Sequence, residues 1–172
     1  TKNNFNSNVE LDYGNIFSLD RIDTNAVEGG ESLTLGLEYS SLNINDKNVF
    51  DLSIANILRL KENPDLPKIH NLSEKRSNFI GNLNYVPSKY FDLNYKFSLD
   101  KNLENSNYDL VKANFNVNNF VTSFEFLEED NIVGHKSYIT NKSKLAFDKN
   151  NFISFETSKN LDKNLTDYYN LI

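Results

Sequence analysis

The chain has 172 residues, no cysteine, a formal net charge of -6 and 38% hydrophobic residues at a mean hydropathy of -0.57, yet it carries 13 Phe and 9 Tyr. The missing cysteines exclude a disulfide framework and a thiolate metal site, and the acidic balance argues against a nucleic-acid binder, which needs a basic stripe to neutralise phosphates. No apolar run reaches the ~20 residues of a membrane-spanning helix, while a disordered chain would be poor in aromatics.

Residues 1–31 read as a loop, and period-two alternation sets in at about residue 32. Leu33, Leu35, Leu37 and Tyr39 alternate with Thr34, Gly36 and Glu38, predicting a strand from Ser32 to Ser41. A second strand is expected from Val49 to Leu60, then a longer connection, Lys61 to Arg76, holding Pro64 and Pro67. A third runs from Asn78 to Val86, before the turn cluster Val86-Pro87-Ser88-Lys89. Alternation is cleanest at Phe91, Leu93, Tyr95 and Phe97 against Asp92, Asn94, Lys96 and Ser98, because successive strand side chains point to opposite faces. Val111, Ala113, Phe115 and Val117 repeat it, followed by Phe120, Phe124 and Phe126, with Thr122 completing that face. Tyr138 to Phe147 is a poorer match, Ile153 and Phe155 alternate with Ser154 and Glu156, and residues 167–172 read as the start of a strand without an ending. That open end, and a start without Met or a signal-peptide pattern, lead us to expect a piece of a longer protein.

Short turn-rich connections favour antiparallel hairpins between neighbours, giving an all-β chain of about nine up-and-down strands. A soluble sandwich would turn the apolar faces inward, and a membrane barrel would turn them to lipid around a wet lumen. Alternation alone does not separate the two. Lys and Asn in mid-strand, and Tyr and Phe gathered near strand ends as an aromatic girdle, lean toward the membrane.

The segment Asn15-Ile16-Phe17-Ser18-Leu19-Asp20-Arg21, followed by Val27-Glu28-Gly29-Gly30, resembles a signature of the C-terminal domain of the LptD family (also called OstA or Imp), which assembles lipopolysaccharide at the cell surface. A second stretch, Leu72 to Gly81, is similar to that family's Ser-Asp-hydrophobic-hydrophobic-Gly lead into a strand, here Ser77, Asn78 and Gly81. Two departures stand out. Asn25-Ala26-Val27 replaces an Asp-Arg pair ahead of the Glu-Gly-Gly segment, and Asn78 replaces an Asp, losing one charge. The resemblance implies a transmembrane β-barrel of about 26 strands, within the known range. This chain would supply part of its wall, with 1–31 an N-terminal loop bearing the signature and 32–172 a meander of strands. It further implies residence in the bacterial outer membrane and lipopolysaccharide as cargo. The expected partners are a lipoprotein plug of the LptE type, a periplasmic lipopolysaccharide-transport bridge and outer-membrane lipids, with no nucleic acid, no cofactor and no catalysis. The alternatives are a general porin or receptor barrel and a soluble, secreted carbohydrate-binding sandwich.

Phe17, Ser18, Leu19, Asp20, Arg21, Glu28, Gly29 and Gly30 could fold into a lumen and meet the plug or the passing saccharide. The plainer reading, a loop pinned by an Asp20–Arg21 or Arg21–Glu28 charge pair with glycines for turn freedom, is preferred. The mid-strand Lys96, Lys112, Lys142 and Lys144, with Asn114, are expected to face the lumen. There they would meet phosphates of the substrate or the plug, or simply serve a wet wall. His70 and His135 raise the thought of a barrel lipase, but neither shares a strand face with an obvious nucleophile and no Gly-x-Ser-x-Gly elbow is present. Glu128-Glu129-Asp130 lacks the ligand ladder of a calcium loop and is expected to be a solvated turn.

Overall fold

The computed structural model describes residues 11–21, 28–131 and 134–172. Among them lie nine strands: β1 (Ser32–Leu42), β2 (Asn48–Arg59), β3 (Phe79–Ser88), β4 (Phe91–Leu99), β5 (Ser106–Val117), β6 (Phe120–Asn131), β7 (Gly134–Ala146), β8 (Phe152–Asn160) and β9 (Leu165–Leu171). They form one antiparallel up-and-down sheet in sequence order. The only helical piece described is a 3-10 turn, Ile69–Asn71, in the β2–β3 connection.

Alternating sequence places the strands well but misplaces some ends. β5 begins at Ser106 instead of near Val111, and β7 at Gly134 instead of Tyr138. The β6–β7 ladder continues through Glu129↔Lys136, Asp130↔His135 and Asn131↔Gly134; the first pair is polar on one face and the second on the other, so hydrophobic alternation gives no signal. Glu128-Glu129-Asp130 is therefore strand and not turn. Its middle carboxylate points to the opposite face from its neighbours, so the three do not converge on one ion.

The contacts divide the chain into two compact units. The described residues among 1–39, 52–82 and 97–107 make the first. Its core is Leu11, Ile16, Ala55, Ile57, Leu72 and Ile80, with Tyr13 packed alongside. The N-terminal loop lies across one face of β1. Arg21 donates to Thr34 Oγ1 (3.1 Å) and Ser32 Oγ (3.3 Å), the Phe17 ring occupies the space over Gly36, and Tyr13 donates its hydroxyl to Glu38 Oε1 at 2.9 Å. A Cβ on Gly36 would come within 2.6 Å of that Phe17 ring. The other face of β1, with Leu33, Leu35, Leu37 and Tyr39, is left open; Leu37 is 61% exposed. The apolar core thus sits on the polar side of β1, and the apolar side is uncovered.

The described residues among 40–51, 83–96 and 108–172 make the second unit. Its faces follow from register: Ala113↔Phe124↔Asn141↔Thr157↔Tyr169 lies on one side and Lys112↔Glu125↔Thr140↔Ser158↔Tyr168 on the other. An aromatic run crosses the first side from Phe50 through Tyr85, Phe91 and Phe115 to Phe124, with centroids 4.9 to 6.4 Å apart. Such spacing suits edge-to-face and tilted rings. Phe124, Leu145, Ile153 and Tyr169 remain exposed on this side, and no second sheet among the described residues covers them. Among the polar side chains that interrupt it, Thr122, Asn141 and Ser143 satisfy one another. Asn141 Nδ2 donates to Thr122 Oγ1 (3.0 Å), Ser143 donates to Asn141 Oδ1 (3.1 Å), and the two hydroxyls lie 2.8 Å apart. Polar groups bonded in this way tolerate an apolar environment far better than unpaired ones.

Candidate functional site

The signature residues of the N-terminal loop assemble a buried charge lock. Glu28 takes Arg21 Nε on one carboxylate oxygen and Arg59 from β2 on the other, with all three side chains almost fully buried. Each guanidinium is held again by a carbonyl, Arg21 by Ile16 O and Arg59 by Leu72 O at 3.0 Å. Burial pulls the Arg21 pKa below its ordinary value. The lock ties the N-terminal loop, β2 and the β2–β3 connection together. Of the two charge pairs weighed from sequence, the structure forms Arg21–Glu28, while Asp20 accepts from the Ser18 hydroxyl instead. Arg59 escaped sequence reading. Its signal was a cation closing β2 on the same face as Ala55 and Ile57, where an apolar residue would otherwise be expected.

The remaining members of the segment are placed less deeply. Leu19 is 70% exposed, and Phe17 covers Gly36 with half its surface open. Gly30, at φ +93°, occupies a region that favours glycine. Gly29 has no positive φ; its carbonyl accepts from Asn63 Nδ2 at 3.2 Å. Val27, and the Asn25-Ala26 departure from the family pattern, lie outside the described residues.

The second signature also builds a lock. Ser77 Oγ accepts the Ile57 N–H (2.9 Å) and donates to Asn78 O (2.8 Å). The Asn78 side chain, fully buried, donates to Ser98 Oγ and Asn107 Oδ1 and accepts from Asn71 Nδ2. Its backbone N–H donates to His70 O, so the connection is pinned to β3, β4 and β5. Gly81 makes room for the Phe97 ring, which occupies the space a Cβ would need.

His70 lies in the β2–β3 connection and on no strand face, yet the fold brings it to a serine. His70 Nδ1 is 3.0 Å from Ser98 Oγ. Ser98 is 1% exposed, however, and its oxygen already accepts from Asn78, so the pair sits where substrate has no approach. Sequence could not show this, because 27 positions and a left-handed His70 (φ 52°) separate the partners. His135 pairs with acids rather than a nucleophile, its Nδ1 2.7 Å from Asp130 and its Nε2 3.1 Å from Asp162.

The mid-strand lysines fall on one polar face of the second unit. Lys112, Asn114, Lys142 and Lys144 share it by register, and Lys96 shares the face of Asp92 and Asn94 on β4. Asn114 donates to Asp92 Oδ1 at 2.7 Å and Asn94 to Asn84 Oδ1 at 2.6 Å. Lys112 meets Glu125 and Lys142 meets Glu156.

No curated protein matches the chain. Residues 3–166 match the family described as LptD, LPS transport system D. With an all-β up-and-down sheet whose apolar face is open, and a family match over most of its length, the chain belongs to the LptD family of outer-membrane β-barrel proteins, which transport and assemble lipopolysaccharide and are not a known enzyme family.

Proposed function

We propose that residues 1–172 are one portion of an LptD barrel domain, an N-terminal loop over 1–31 followed by a meander over 32–172, and that they form part of the wall through which lipopolysaccharide reaches the outer leaflet. The observation that carries this reading is the reversal of inside and outside in β1. Its leucines are bare, while its Ser, Thr, Gly and Glu face a folded loop. Such a strand suits lipid on one side and a partly filled aqueous lumen on the other. The saccharide then travels along the polar face, and the acyl chains leave sideways through a parting between barrel strands. A lipoprotein plug of the LptE type would seat against the same face, beside the signature residues 17–21 and 28–30, and a periplasmic bridge would supply the substrate. Ser77, Asn78 and Gly81 act in this reading by fixing the β2–β3 connection.

The test is to express the full-length parent protein in a Gram-negative host. We expect it to fractionate with the outer membrane, to show heat-modifiable mobility and to co-purify with a small lipoprotein. Its depletion should remove lipopolysaccharide from the cell surface. A barrel that passes small solutes, with surface lipopolysaccharide unchanged on depletion, would support the porin reading instead. A product soluble without detergent would sink the membrane assignment.

A further inference from the structure

Each of the four lysines on the polar face of β5 to β8 has its own partner. Lys112 Nζ is 2.7 Å from Glu125 Oε2, and Lys142 Nζ is 2.9 Å from Glu156 Oε1, both pairs directly opposite in the ladder. Lys136 stands 3.8 Å from Glu129, and Lys144 lies over the Phe152 ring, 3.9 Å from its centroid. Between the two tightest pairs lies a groove of about 400 Å³ lined by Asn114, Ser123, Thr140 and Tyr168, with the Lys112–Glu125 pair, Lys142 and Phe124. Tyr168 also donates its hydroxyl to Glu156 at 2.8 Å.

These pairs are half exposed, and pairs of that kind add little to stability. Their larger consequence is electrostatic. A carboxylate about 3 Å from an ammonium leaves a dipole in place of a free charge, and its field fades within the ~8 Å screening length of physiological salt. The groove therefore offers amide and hydroxyl groups, which both donate and accept, without a free cation. A channel conducts only if its sites bind weakly enough to release what enters. Bare lysines would hold a multiply phosphorylated passenger, and paired ones would not.

We propose that the groove of Asn114, Ser123, Thr140 and Tyr168 is a saccharide subsite that takes sugar hydroxyls, and that the flanking lysine–glutamate pairs keep phosphates from being retained there. This rests on the transport reading above. It reverses the simpler idea that the lysines are there to grip phosphate.

The test uses purified full-length protein in detergent with a photo-crosslinking residue in place of Thr140. It is presented with intact lipopolysaccharide and with the same material stripped of phosphate. The native wall should capture both forms about equally at low and high salt. Glu125→Gln with Glu156→Gln should capture the phosphorylated form roughly two- to fivefold better at low salt, the scale of an exposed ion pair. Heat-modifiable mobility checks that the variant folds. A native wall that already prefers the phosphorylated form, or a double variant that behaves like it, overturns the proposal. Capture at other wall positions but not at 140 also overturns it and leaves transport standing, whereas no capture anywhere in the barrel sinks the transport reading itself.

Discussion

The side-chain amide of Asn78, just ahead of β3, donates to Ser98 Oγ on β4 at 2.9 Å, and both residues are buried. The same side chain donates to Asn107 and accepts from Asn71. Asn78→Leu would break three hydrogen bonds at once, taking this partner from the half-buried amides of Asn71 and Asn107 while Ser98 keeps His70, and a polar group buried without its partner costs about 1–3 kcal/mol. We expect it to destabilise the barrel by about 3 kcal/mol or more, seen as a lower midpoint of heat-modifiable unfolding. Asn78→Asp should be milder. Its carboxylate still accepts from Asn71, the Ser98 hydroxyl can turn to donate, and the Asn107 amide can flip.

Glu28 balances two guanidiniums, so its removal should hurt more than the loss of either arginine. Glu28→Ala leaves two buried cations side by side, and breaking a buried pair costs about 3–5 kcal/mol. Arg59→Ala leaves the Arg21–Glu28 pair intact. Limited proteolysis of the N-terminal loop should rank the variants Glu28→Ala, then Arg59→Ala, then the native protein. The reverse order would show that the lock is not centred on the carboxylate.

Phe97 fills the space left by Gly81, so the two positions should be coupled. Gly81→Ala alone forces the ring to move, and overpacking of this kind costs about 1–3 kcal/mol. Gly81→Ala combined with Phe97→Leu should recover part of that loss. A double-mutant cycle in thermal unfolding measures the coupling, and strict additivity would mean that the ring relaxes freely.

The strands were legible because alternation writes itself into sequence wherever one face is apolar, as at Phe91 to Phe97. It faded where both faces are polar, as at Asp130 and His135, and there the strand ends shifted. The arginine of the signature could be read as a charge partner, but Arg59 and the Asn78–Ser98–His70 convergence depend on residues brought together from β2, β4 and the β2–β3 connection. Local pattern carries no trace of such contacts. The lysines were found as a set, yet their pairing with Glu125 and Glu156 follows from register, which alternation alone does not fix.

The turn after β7 should loosen in acid. Asp148 is held below its ordinary carboxylate value chiefly by the Asn151 side-chain amide, which donates at 2.6 Å, with the N–H groups of Asn150 and Asn151 adding to it. A depressed pKa means that the stabilisation is complete above the unfolded carboxylate value and is lost as pH falls through the lower folded value. Amide exchange at residues 150 and 151, corrected for the intrinsic rate, should therefore accelerate only in strong acid. Asp148→Asn should flatten that dependence, because its single amide oxygen keeps the Asn150 and Asn151 N–H bonds without titrating and gives up the one from the Asn151 side chain.

Adjacent residues in the middle of β7 give the sharpest test of which side meets lipid. Ile139 lies on the apolar side opposite Phe126, and Thr140 lies on the polar side opposite Glu125. An arginine facing hydrocarbon near mid-membrane costs about 2–4 kcal/mol, whereas one facing a wet lumen meets water and, here, a carboxylate across the ladder. Ile139→Arg should lower the folding free energy of the full-length protein in lipid vesicles by that amount, and Thr140→Arg should leave it nearly unchanged. In detergent-free buffer neither variant should make the protein soluble. Equal penalties at the two sites would mean that both faces are buried in protein, and the open apolar face would then have to be covered by another part of the assembly.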